Sequence, residues 1–297
     1  MPSSKPWLAI ESSALPWNNL LIVGDTSYIG SYIARLSERA GARVIGVSRQ
    51  VCDLLDAEQC AHFFAGLPPE KWTVVFLSVI NKTAGNDYDA FERNVRMVRN
   101  FAQAQRSASI DGVVYFSSVD VYGRNPEIPI TENSQIQPDT WYGLAKYDCE
   151  WILRSSGDVE CPVTILRIPG VYGPAKNDRS VIGQLVRSIC DRNAVSIRGS
   201  GQALRDYVFI GDVAEIVRRL ATAQHEGVVN VATGKSHSIQ ELALLAGEVL
   251  NQEFQIEREP ADSAREFDLV FDNRRLLSLT AGFTFTDISN GLRSYAC

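Results

Sequence analysis

Leu20-Leu21-Ile22-Val23-Gly24-Asp25-Thr26-Ser27-Tyr28-Ile29-Gly30 holds an apolar run, a turn and the opening of a helix. The four apolar residues read as a buried strand. From Tyr28 to Ala40, Ile29, Ile33 and Leu36 recur at helical spacing, and Gly41 follows as a stop signal. Gly24 and Gly30 frame the turn. A turn that carries a dinucleotide needs glycine where the chain is tight and where it nears the pyrophosphate. The helix N-terminus supplies the positive end. Ser27 stands where a middle glycine is usual. A serine serves there if its backbone stays in an allowed region, and its hydroxyl can add a phosphate hydrogen bond. On this reading Gly24, Ser27, Tyr28, Ile29 and Gly30 contact a cofactor. The competing reading is a plain strand–helix turn.

The pattern repeats outward. Arg43 to Val47 reads as a second strand, Asp56 to Ala65 as a helix with Asp56 and Gln59 in capping-box spacing, and Thr73 to Leu77 as a third strand. Asp87 to Gln105 is helical, with Phe91, Val95, Val98 and Ala102 on one stripe. Gly112 to Phe116 is a strand, Tyr142 to Leu153 a helix, and Val163 to Leu166 a strand. Strands alternating with helices predict an α/β fold with a Rossmann-type, doubly wound parallel sheet. Ligands then gather at the strands' C-terminal ends. After about residue 167 the alternation lapses and glycine and proline cluster. We expect a tail over 1–17 and a dinucleotide domain over 18–167, with 206–232 contributing. A smaller C-terminal α/β substrate lobe should span 168–205 and 233–297. Within it a helix is expected at Val181 to Cys190, a lone strand at Ala194 to Ile197, and a helix at Ser238 to Leu250.

The second strand ends in Ser48-Arg49, where an NAD site usually carries Asp or Glu on the ribose. A hydroxyl and a cation suit a 2′-phosphate instead. NADP(H) is therefore favoured, with NAD(H) the alternative. Asp53 is placed to accept from adenine or to cap a turn, with Leu54 beside it.

Tyr142 and Lys146 stand four apart on one helical face. A phenol ordinarily titrates near ~10. A neighbouring ammonium favours the phenolate and brings it toward a working range. A hydroxyl at a strand end, such as Ser118, can share the same substrate oxygen. Such a set moves a proton on or off a carbinol oxygen while hydride moves at its carbon.

The chain has 297 residues and a net charge of −6, which argues against nucleic acid or an anionic membrane as partner. Six cysteines without a CxxC pair, and three histidines, give no basis for a metal site or a disulfide framework, and suit a reducing cytosol. No apolar stretch approaches the ~20 residues of a membrane span.

Taken together, these strings resemble the extended short-chain dehydrogenase/reductases, in the branch that includes nucleotide-sugar epimerases, dehydratases and reductases. The resemblance runs from about residue 18 to 293. Leu166-Arg167-Ile168-Pro169-Gly170-Val171-Tyr172-Gly173-Pro174 is similar to the family's LRxxNVYGP string. Gly199 to Ala214, containing Arg205-Asp206-Tyr207, is similar to a second family stretch. The resemblance implies Ser118, Tyr142 and Lys146 as catalytic residues, with Tyr142 and Lys146 also touching the cofactor, Lys146 on the nicotinamide ribose. It implies Leu77, Ser78 and Pro169 beside the cofactor and Asn94 in support. Arg205, and more loosely Arg265, fall to a nucleoside-diphosphate sugar, with Ser118, Asp120 and Gly170 lining its site. Gly170 replaces the family's asparagine. Val119-Asp120 replaces the Asp-Glu pair of 4,6-dehydratases, which need both an acid and a base, so that activity is disfavoured. A 4-keto-6-deoxy-sugar reductase leads and a 4-epimerase follows. A non-sugar ketone reductase and a non-catalytic NADP sensor come last. Many relatives pair two helices from each subunit into dimers, so a homodimer through Asp87 to Gln105 and Tyr142 to Leu153 is a further expectation, with burial of those faces in the core the equal alternative.

Overall fold

The computed structural model describes residues 19–156, 161–175, 178–260 and 266–295. Expectations for the tail over 1–17 and for Arg265 lie outside these.

In chain order the first half runs β1 (Asn19–Val23), α1 (Tyr28–Arg39), β2 (Arg43–Val47), α2 (Ala57–Ala65), β3 (Trp72–Phe76), α3 (Tyr88–Ala104), β4 (Ile110–Ser118), α4 (Trp141–Ser156) and β5 (Val163–Ile168). Next come β6 (Gly170–Tyr172), α5 (Val181–Arg192), β7 (Ala194–Arg198), β8 (Leu204–Phe209), α6 (Ile210–Thr222) and β9 (Gly227–Asn230). The last elements are β10 (Ser236–Ser238), α7 (Ile239–Leu250), β11 (Gln255–Glu259), α8 (Arg274–Leu279) and α9 (Ile288–Arg293).

Six strands form one sheet in the order β2-β1-β3-β4-β5-β9, and every pairing in it is parallel. The order reverses between β1 and β3, which opens a crevice at their C-terminal ends. Alternate residues bury opposite faces, as strand geometry demands. Leu21, Val23, Val74, Phe76, Val113 and Tyr115 pack with Phe64, Val98 and Phe101 of α2 and α3. Leu20, Ile22, Val75 and Val114 pack on the other face with Ile33 of α1 and Val213, Ile216 and Val217 of α6. This is the doubly wound α/β architecture that the sequence predicts.

Helix ends follow the side chains. Ser27 caps α1 and Asp56 caps α2. Gln59 bonds the Asp56 carboxylate instead of closing a reciprocal box. The full capping box is Ser238 with Glu241 at α7. The strand at β7 is not alone; β11 pairs with it in parallel. The sheet β10-β8-β6 joins the lobe to the main sheet's rim. Cys190 is disulfide-bonded, against the sequence expectation. Among the described residues no helix is long and apolar enough to cross a membrane.

Candidate active site

The turn after β1 bends at Gly24, whose φ of +95° excludes most side chains. A Cβ on Gly30 would collide with the Gly24 carbonyl and stand 2.8 Å from Ser27 Oγ. Both glycines are therefore required by the turn itself. Ser27 has φ −68° and ψ 162°, an ordinary extended conformation, and its Oγ accepts from Gly30 N. That is why serine is tolerated there. The open N-terminus of α1 faces the crevice beside Ser78, whose N–H bonds Val23 O at 3.1 Å. These residues fit a dinucleotide: close backbone, a helix N-terminus and no side chain at Gly24 or Gly30 to block approach.

The other predicted cofactor residues divide. Leu77 is buried at the end of β3, and Pro169 is half-buried between β5 and β6. Ile29 packs on the core, and the Tyr28 hydroxyl donates to Gly173 O across the crevice. Leu54 is core, and its carbonyl accepts from Asn100. Asp53 accepts from Arg49 Nε at 3.1 Å and caps Leu55 N. Arg49 is thus already paired. Asn94 makes a two-way bond with the backbone of Ile80 and so fixes the loop after β3.

Further along the sheet, β4 carries Ser117 and Ser118 to the rim, and a 3₁₀ turn (Val119–Tyr122) follows. Thr140 Oγ1 accepts from Gly143 N and starts α4, which brings Tyr142 to Ser118. The Ser118 hydroxyl adjoins the phenol. Burial first, and then the Asp120 carboxylate, raise the Tyr142 pKa; the Ser118 bond opposes them. Lys146 does not lower it in this state. Its Nζ donates to Phe116 O at 2.5 Å and lies 5.9 Å from the Tyr142 ring centroid. Burial also lowers Lys146 itself to about 8. The expected softening of the phenol by the ammonium is therefore outweighed by desolvation.

Sequence reasoning missed Lys82, whose Nζ lies 2.8 Å from Asp120 Oδ2. It had no signal, since the loop shape that places it depends on Asn94. It also missed a buried network behind the triad. Arg167 holds Glu150 through both carboxylate oxygens, at 3.1 and 2.7 Å, and reaches the Tyr122 hydroxyl at 3.0 Å. Ser117 bonds Glu150 as well. Glu150 lies one helical turn after Lys146, so this network sets the rotation of α4.

Arg205 stacks over the Phe267 ring, 4.8 Å from its centroid, and donates to the carbonyls of Leu204 and Phe267. Neither neighbouring acid takes it. Asp206 accepts from Thr233 and Gly234, and Asp212 from Thr286. At Gly170 a Cβ would stand 2.7 Å from Tyr207 Cδ1, so the Tyr207 ring fills the space of the family's asparagine.

The family model for the NAD dependent epimerase/dehydratase family matches residues 20–232. The chain belongs to that family. It is accordingly an enzyme of the extended short-chain dehydrogenase/reductase type. A putative UDP-glucose 4-epimerase of Methanocaldococcus jannaschii is 32% identical over 171 residues, 56% of this chain and 55% of that protein. The chain thus spans about half the length of that relative. A dTDP-4-dehydro-6-deoxy-D-allose reductase of Streptomyces sp is 24% identical over 82% of this chain and 84% of its own. Among solved structures, RMD from Pseudomonas aeruginosa complexed with NADPH superposes with a TM-score of 0.81 at 23% identity. It covers 93% of this chain and 97% of that one, and shows the shared fold.

Proposed function

We propose that this family member is an NAD(P)(H)-dependent oxidoreductase acting at C4 of a nucleoside-diphosphate sugar, with reduction of a 4-keto-6-deoxy sugar as its net reaction. The carrying observation is the grouping at the end of β4, where the buried Tyr142 phenol lies beside Ser118 with Lys146 Nζ 5.9 Å from its ring centroid. A protonated phenol is the form that gives a proton to an oxygen as its carbon is reduced. A bound nicotinamide dinucleotide supplies the hydride. Ser118 donates to the developing alkoxide, where charge builds in the transition state. Lys146 binds near Tyr142 and restores its charge balance after the proton leaves. Arg205 presents a guanidinium to the diphosphate. Asp120, ion-paired to Lys82, lacks the second acid that a 4,6-dehydratase needs.

This reading assigns the dinucleotide to 18–167 with 206–232, and the sugar nucleotide to 168–205 and 233–297. A homodimer through α3 and α4 accords with Tyr88 and Trp151, which are 61% and 65% exposed.

A second reading is a 4-epimerase that keeps its cofactor. Arg49 favours it, because a cation already paired with Asp53 weakens the case for a dissociable NADPH. Purified protein is mixed with reduced cofactor and a 4-keto-6-deoxy nucleotide sugar, and absorbance of the reduced cofactor is followed. The reductase consumes it in step with product. Conversion of an ordinary nucleotide hexose without any consumption would replace the reductase with the epimerase. In either case Tyr142→Phe should cut turnover by about 10²–10⁴-fold while leaving dinucleotide affinity unchanged.

A further inference from the structure

The turn after β1 carries a charge that the glycine pattern does not use. Gly24 N–H bonds Val47 O at 2.9 Å, so this turn lies against the end of β2. The next residue, Asp25, lays its carboxylate over Gly46 of β2. A Cβ built on Gly46 would stand 2.7 Å from Asp25 Cγ, so any side chain there would displace the acid. Asp25 Oδ1 is buried and has no hydrogen-bond partner. A buried carboxylate oxygen without a donor is costly, and a ligand that brings a donor relieves the cost. Two neighbours sharpen the point. Ser48 follows β2 without an acid, and Arg49 is turned to Asp53 with its side chain 75% exposed.

We propose that Asp25 selects the dinucleotide: its carboxylate accepts from the ribose hydroxyls of the adenosine half and favours NAD(H) over NADP(H). The acid that a β2 end commonly supplies has moved to the turn after β1, and Gly46 makes room for it. A 2′-phosphate would bring about two negative charges to a partly buried carboxylate. The open Oδ1 would gain no donor from it. This reverses the lean toward NADP(H) that Ser48-Arg49 suggested. It rests on the dinucleotide-binding reading and not on the direction of reaction, since a reductase would consume NADH and an epimerase would retain NAD.

The test is equilibrium titration with NADH and with NADPH, followed by tryptophan fluorescence, on protein freed of carried nucleotide. Wild type is expected to bind NADH about tenfold tighter or more, the scale set by a like-charge contact near a protein surface. Asp25→Asn keeps the shape and removes the charge; it should bring the two affinities within about threefold, chiefly by tightening NADPH. Gly46→Ala displaces the carboxylate without changing its charge and should shift the ratio the same way. It serves if the asparagine variant fails to fold. Equal or tighter binding of NADPH by wild type overturns the proposal, as does an unchanged ratio in the folded variants. If wild type binds neither dinucleotide, the cofactor reading itself falls, and this inference with it.

Discussion

Behind the reaction end, Arg167 and Glu150 are almost fully buried and hold each other through paired bonds, whereas at the nucleotide end Asp25 keeps a buried oxygen that no protein donor reaches. Asp25 lies at the rim of strand ends, and Glu150 lies on α4 behind that rim. One is spent on architecture: it fixes α4 against β4 and β5, and through α4 the places of Tyr142 and Lys146. The other is held in reserve. The contrast separates polar groups that build a site from those that await what the site binds. In the first network only Asn230 Nδ2 is left over among the described residues, while its Oδ1 accepts from Tyr122 at 2.7 Å.

The contrast breaks most visibly at Arg167. Arg167→Met strands the buried Glu150 carboxylate and should cost about 3–5 kcal/mol, read by urea denaturation. Adding Glu150→Leu should recover most of that loss; a double variant no better than the single would show that the pair does more than neutralise itself.

Lys146 offers a subtler probe of the same end. Its pKa falls from 10.5 to about 8 on folding because burial disfavours the ammonium. Below about 8 the charge is present in both states and folding bears its desolvation. Between about 8 and 10.5 only the unfolded chain is protonated, so stability rises with pH. Lys146→Met should therefore be more stable than wild type at pH 7, with an advantage that shrinks across that window by at most about 1.4 kcal/mol per pH unit. A pH-independent difference would remove burial of the charge as its cause.

At the nucleotide end the effects should be smaller. Ser27→Ala removes the cap on α1 and should cost about 1 kcal/mol of stability by thermal or chemical unfolding. Arg49→Ala, which removes an exposed pair with Asp53, should change stability by no more than about 0.5 kcal/mol. It should also leave the ratio of NADH to NADPH affinity nearly unaltered; a large fall in NADPH affinity would return the 2′-phosphate to Arg49.

Much of this was legible in the sequence where apolar periodicity carried the information. The second strand was read at its observed limits, and Trp72–Phe76 was read one residue late. The neighbourhood of Ser118, Tyr142 and Lys146 was legible too, because a strand end followed by a Tyr–Lys pair on one helical face brings the three together whatever their role. What escaped was structure made by backbone or by tertiary contact. β11, Gln-Ile-Glu-Arg-Glu, is mostly exposed and pairs with β7 through main-chain bonds, so it has no apolar alternation to find. Lys82 reaches Asp120 only because Asn94 shapes a loop. Asp25 did have a signal that was not used: a glycine inside a strand marks a close approach of some other group, and Gly46 is that glycine. The pKa of Tyr142 was misjudged because spacing tells which groups are near and says nothing of the water they have lost.

The sixth strand of the main sheet, β9, comes from Gly227–Asn230, long after β5 has been laid down. Until those residues leave the ribosome, one edge of β5 has no neighbour, and the face that α6 later covers is bare. A nascent chain halted near residue 170 would thus expose an apolar strand edge to any other chain that met it. The interleaving of lobe and sheet along the sequence makes the molecule's passage through synthesis, rather than its finished state, the moment of greatest risk of self-association.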